Sequence, residues 1–203
     1  MNAPGRSAHP EHPAGAEALN APLFASLIER LQSTGERCVV LDLGAARTET
    51  IALFGQFRAR LDIVDLAQNL DQLDEEDSEL LRPRAERLLP PRQSEAADVV
   101  LCWDLLNYLK RPALSAVMAA AAERAKPGAL AHALIVYSSK KMSVKPGCFV
   151  PLDEQRLINV APPQAERDAP RYSPEDLVNC MHGYTVERAR LLRNGMQEFL
   201  FRV

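Results

Sequence analysis

Cys38-Val-Val-Leu-Asp-Leu-Gly44 is an apolar run interrupted only by Asp42 and closed by Gly44. A run this short and this uniformly apolar reads as a strand buried on both faces, as at the centre of a parallel sheet. Before it, Pro22 opens a helix whose Leu23, Phe24, Leu27, Ile28 and Leu31 recur at helical spacing, and Gly35 closes it. After it, Ile51, Leu53, Phe54 and Phe57 suggest a short helix, and Arg60 to Leu66 a second strand. Ala97 to Trp103 reads as another buried strand, followed by Asp104. An alanine-rich helix starts at Pro112, Lys126-Pro-Gly128 stops it, and Ala129 to Tyr137 is a further strand. A short third strand is read at Ala85 to Leu89.

Strands alternating with helices imply right-handed βαβ units and a parallel sheet covered on both faces. The end of the chain breaks that rhythm. After a helix capped by Ser173-Pro-Glu-Asp176, Tyr184 to Leu192 and Met196 to Val203 follow directly, joined through Asn194-Gly195, a hairpin signal. The expected fold is α/β: a doubly wound, Rossmann-like sheet of seven strands, mostly parallel, with a C-terminal antiparallel hairpin. Residues 1–20 read as a disordered leader rich in Ala, Pro and Gly, and residues 21–203 as one domain. Within it, residues 138–172 are too long for an ordinary connection and read as an inserted flap or an interface segment.

This order of elements resembles the class I S-adenosylmethionine-dependent methyltransferase family. Val39 to Gly44, Ile63 to Leu66, Ala97 to Leu109 and Lys126-Pro-Gly128 carry the resemblance, which spans Pro22 to Val203. It implies S-adenosylmethionine as cofactor, held over the carboxyl ends of the first, second and fourth strands. By that resemblance Asp42, Gly44, Ala45 and Arg47 belong to the first strand's loop, beneath the methionine and ribose. Asp65 accepts from the ribose hydroxyls, about 20 residues beyond the loop, as in dinucleotide folds. Leu66 lies beside it, and Trp103 and Asp104 stand where the methyl group meets its acceptor. Asp104 is the candidate catalytic residue, the plainer reading being a cap for the helix after it.

The chain also departs from the family. Its 9 glycines in 203 residues are few against the roughly 14 that average usage of about 7% gives. The family loop carries two or three glycines, whereas Asp42-Leu-Gly-Ala-Ala-Arg-Thr-Glu-Thr50 has one. Arg47 fills the methionine space, pairs with the methionine carboxylate, or meets a phosphate; the sequence leaves these open. The acidic residue expected after the third strand is missing, and so is the Asn/Asp-Pro-Pro-Tyr/Phe motif of enzymes that methylate base amines or glutamine amides. The expected function is methyl transfer to a small molecule. The alternative is an inactive methyltransferase-like domain that binds a ligand or a protein.

Composition narrows the partners. A net charge of −3 and a pI near 5.9 argue against a general nucleic-acid binder. No apolar stretch of membrane-spanning or signal length appears, so the expectation is a cytoplasmic protein with no membrane partner. Cys38, Cys102, Cys148 and Cys180 are far apart and read as buried thiols, with no metal site. The flap carries Lys140, Lys141, Lys145, Arg156, Arg167 and Arg171 among prolines, which suits either an anionic substrate or a contact in a homo-oligomer.

Overall fold

The computed structural model describes residues 17–74, 78–92 and 95–203. The first 16 residues of the expected leader lie outside it. The leader's last residues do not: β1 (Ala18–Asn20) pairs antiparallel with β8 (Arg156–Asn159), Leu19 opposite Leu157.

The central sheet has six strands among the described residues, in the order β10-β11-β5-β4-β2-β3. Here β2 is Cys38–Asp42, β3 Ala59–Ile63, β4 Ala97–Trp103, β5 Ala125–Val136, β10 Thr185–Leu191 and β11 Met196–Arg202. The β2–β3, β2–β4 and β4–β5 pairs are parallel. The β5–β11 and β11–β10 pairs are antiparallel, and Gly195 takes φ 81° in the turn between the last two strands.

Seven strands were expected, and the one missing is the third. Most of its sequence belongs to helix α3 (Ser78–Leu88), where Leu81 and Ala85, with Leu89 just past the helix, bury one face at four-residue spacing. Pro90 and Pro91 follow and have no N–H to offer a ladder, and no edge strand forms among the described residues between α3 and β4. The absent third-strand acid is therefore an absent strand.

Alternation along the strands sends side chains to two cores. On one face Val39, Leu41, Val100, Ala131 and Phe199 pack with α3, α4 (Arg111–Ala122) and α5 (Pro174–Cys180). On the other, Val40, Val99, Leu101, Leu130 and Leu200 pack with α1 (Pro22–Thr34) and α2 (Thr48–Phe54). Among the described residues no helix is long and apolar enough to cross a membrane.

The start of α1 has no side-chain cap of its own. Glu198, fully buried on β11, replaces one: its carboxylate accepts from the N–H groups of Leu23 and Phe24 at 2.9 and 2.8 Å. Nε2 of buried His132 lies 2.9 Å from the same carboxylate. The first turn's unpaired donors and the helix dipole both favour an anion there.

The segment after β5 forms two small sheets. β6 (Lys141–Ser143) pairs with β9 (Glu166–Asp168), and β7 (Phe149–Pro151) with β8, which carries β1 on its other edge. Ala21 N–H also donates to Gln155 O at 2.9 Å. Residues 18–21 and the inserted segment thus fold together over the carboxyl end of the parallel strands.

Candidate functional site

At the carboxyl ends of β2, β3 and β4 the backbone is tightly tied. Val64, Asp65 and Leu66 donate to the carbonyls of Asp42, Gly44 and Leu43 at 2.9 to 3.0 Å. Two residues here take left-handed backbone, Asp65 at φ 48° and Trp103 at φ 49°. Asp tolerates that region, but for a bulky tryptophan it is strained by roughly 1–3 kcal/mol and must be held by its surroundings.

What holds Trp103 is the first loop. Its indole Nε1 donates to Asp42 Oδ1 at 2.7 Å, and Gly44 N–H donates to the same oxygen at 2.8 Å. A Cβ on Gly44 would stand 2.7 Å from the indole Cδ1. Gly44 is therefore needed for the close approach of a side chain of this same chain. Asp42 is 1% exposed, and its Oδ2 has no partner among the described residues. Burial pushes its carboxyl up to about 6 against the pull of the two hydrogen bonds.

A cleft of about 810 Å³ opens over these strand ends. Gly44, Ala45, Arg47, Asp65, Trp103 and Asp104 line it, with Lys145 to Phe149 of the inserted segment opposite. Arg47 is on the wall and does not fill the space against Gly44, which the indole occupies. Two residues expected to touch a cofactor do not reach the cleft. Asp42 is sealed in beneath the loop and the indole, and Leu66 is fully buried in the hydrophobic core. Asp65 is half-buried, with its carboxylate accepting from Gln68 Nε2.

A second cleft, of about 610 Å³, lies between β1, the inserted segment and the β10–β11 turn. Asp104, Gly147 and Phe149 line both clefts and so form the partition between them. Asp104 is 6% exposed, and burial pushes its carboxyl up to about 6, while the Gly147 N–H bonded to Oδ2 at 2.7 Å pulls it down. It does not cap the next helical turn with its side chain. Tyr108 lines the smaller cleft, its phenol held protonated by burial, with Arg167 4.9 Å above the ring. Buried Asn107 fixes that turn on β5, donating to Leu134 O at 2.8 Å and accepting from Val136 N–H at 2.8 Å.

Gly147 and Phe149 were not singled out from sequence. The signal in hand was Pro146-Gly147, a turn dipeptide inside the long segment. It marks a bend without saying what the bend meets.

No family model matches the chain, and no curated protein matches it. Solved structures do. A S-adenosylmethionine-dependent methyltransferase from Clostridium acetobutylicum superposes with TM-score 0.53 at 14% identity, over 89% of this chain and 90% of that one. The pyocyanin biosynthetic protein PhzM gives TM-score 0.50 at 14% identity, over 88% of this chain and 53% of that one. A Burkholderia thailandensis 1,6-didemethyltoxoflavin-N1-methyltransferase gives 0.48 at 20% identity, over 89% and 76%. At such identities the likeness speaks for fold alone: the chain has the class I S-adenosylmethionine-dependent methyltransferase fold, with a six-stranded sheet.

Proposed function

We propose that the chain is a S-adenosylmethionine-dependent methyltransferase acting on a small molecule. The observation that carries this is one cleft over the ends of β2, β3 and β4, with Asp65 on its wall, meeting a second cleft at a single buried carboxyl, Asp104. The larger cleft, at about 810 Å³, is within the range of roughly 300–1,000 Å³ usual for ligand sites. The donor set suits the cofactor's nucleoside end, where Asp65 would accept from the ribose hydroxyls. Arg47 and the indole face of Trp103 would meet the amino-acid end. When bound, the cofactor supplies an electrophilic methyl group.

The chain's own residues do the rest. The segment from Lys145 to Phe149 lines the larger cleft opposite the strand ends and would cover the bound molecules at the partition. Asp104 takes a proton from the acceptor's hydroxyl or amine as it becomes nucleophilic, and a carboxyl poised near 6 suits a base working close to neutral pH. Most of the acceleration comes from holding two bound molecules in line across the partition. Of the flap's basic residues, Arg167 is engaged over Tyr108 and Arg156 with Asp153. Lys141 on the smaller cleft is likewise paired, with Asp168 at 2.8 Å, and Lys145 on the larger is what an anionic acceptor would meet.

Calorimetric titration with S-adenosylmethionine and S-adenosylhomocysteine tests the reading. Micromolar binding that Asp65→Ala weakens by at least tenfold is expected; no heat with either ligand at millimolar concentration sinks it. One observation favours the second reading, a binding module without turnover: the only glycine of the Asp42–Thr50 loop is covered by Trp103. Cofactor binding with no methyl transfer to any acceptor would favour that module.

A further inference from the structure

We propose that Gly147 is a positioning residue of the reaction centre: its N–H holds the Asp104 carboxyl at the junction of the two clefts. This rests on the methyltransferase reading above, with Asp104 as proton acceptor.

Three observations converge. The N–H of Gly147 reaches Asp104 Oδ2 at 2.7 Å across 43 positions of sequence, so a flap residue and a strand end meet only in the folded chain. A Cβ on Gly147 would stand 2.9 Å from that same oxygen, 2.8 Å from Phe149 Cε2 and 3.0 Å from Asn159 Nδ2. All three are side-chain ends, so any larger residue moves the carboxyl and its neighbours without a collision of backbones. The loop that carries the donor is also braced independently of Asp104. Asn159 Oδ1 accepts from Cys148 N–H at 2.9 Å and Ala161 N–H at 3.0 Å, and Val160 N–H donates to Cys148 O at 2.8 Å.

A donor fixed in advance and aimed at a carboxylate orients it without reorganisation, which is what a general base between two substrates requires. With one oxygen committed to the flap, the carboxyl cannot rotate freely toward either cleft. The bond also favours the charged form, opposing the burial that raises this acid. The titratable neighbours are Tyr108 from the turn after β4 and Cys148 from the flap, both held protonated by burial. Arg47, Lys141, Lys145 and Arg193 are the cations on the cleft walls, and Asp65 and Asp71 on the larger cleft and Glu17 on the smaller are further carboxylates.

The test is a nuclear magnetic resonance titration of the full, ligand-free chain between pH 4 and 8. We expect the Gly147 amide proton and the Asp104 carboxyl carbon to share one midpoint. Asp104→Asn should abolish the amide's titration, and Gly147→Ala should raise the Asp104 midpoint by about one pH unit. A Gly147 amide that stays silent while Asp104 titrates overturns the proposal, and that comparison needs only the wild-type protein. Calorimetry with S-adenosylhomocysteine on the same sample keeps the two claims apart. Binding with a silent amide overturns the positioning role alone; absence of binding removes the reaction centre, whatever the amide does.

Discussion

Asp42 at the end of β2 and Asp104 just past the end of β4 are built alike. Each is a buried carboxyl pushed up to about 6, and each accepts a glycine N–H, at 2.8 and 2.7 Å. Each glycine lacks room for a Cβ. The surroundings separate them. Asp42 binds a glycine two positions away and the indole of the neighbouring strand, and faces neither cleft. Asp104 binds a glycine of the inserted flap and faces both clefts. The same pair of groups thus acts as a brace for a loop in one place and as a candidate reaction centre in the other. Access decides which, not the carboxyl's intrinsic chemistry.

The largest expected effect separates the two acids by activity. Asp104→Asn keeps an oxygen for Gly147 but cannot take a proton, so initial rates with an accepted substrate should fall about 100-fold or more while the melting temperature holds. An unchanged rate would reduce Asp104 to a second brace. Asp42→Ala should do the reverse in kind. It leaves the buried indole N–H and the half-buried Gly44 N–H without an acceptor, costing about 3 kcal/mol in urea unfolding.

The shared elevation gives both acids one pH signature. A carboxyl raised from its unfolded value binds protons more tightly in the native state, so its contribution to stability falls as pH rises from about 4 through 6. The drop should reach about 3 kcal/mol per group at most. Glu86 is held near 2 by Arg92, Arg124 and Arg82, and is already ionised across that window. Denaturation at pH 4.5 and 6.5 should show the decline, and Asp42→Asn and Asp104→Asn should each flatten it. Equal slopes in all three proteins would count against both assignments.

The smallest expected effects fall on the brace. Gly44→Ala would press a methyl group on the indole, costing about 2 kcal/mol. Trp103 is the chain's single tryptophan, so its displacement should appear directly as a red shift of the emission. Trp103→Phe removes the bond to Asp42 and some of the packing on Gly44, and should cost about 2 kcal/mol in unfolding free energy.

Much of the fold was legible because burial along a strand or a helix is written in near-neighbour periodicity. Val39 to Leu41 and Val99 to Leu101 announce strands covered on both faces, and Leu23, Phe24, Leu27 and Ile28 announce a helix with one buried side. The third strand misled for the same reason. Leu81, Ala85 and Leu89 follow helical spacing, and a window confined to Ala85 to Leu89 hides it. At the candidate site the resemblance marked Gly44, Ala45, Arg47, Asp65, Trp103 and Asp104, and all six line the larger cleft. That Asp42 and Leu66 turn away from the cleft could not, because backbone position does not fix which side of a loop a side chain occupies.

By itself the sequence determined an alternating α/β chain closed by a hairpin signal, since each element's period depends on residues within a few positions of one another. Tertiary structure alone decided that an indole would cover the loop's single glycine and that Glu198 would cap a helix starting at Pro22. It also decided that Gly147 would grip Asp104. Those contacts join residues 43 to 175 positions apart, and only the packing of the whole chain sets which of them meet.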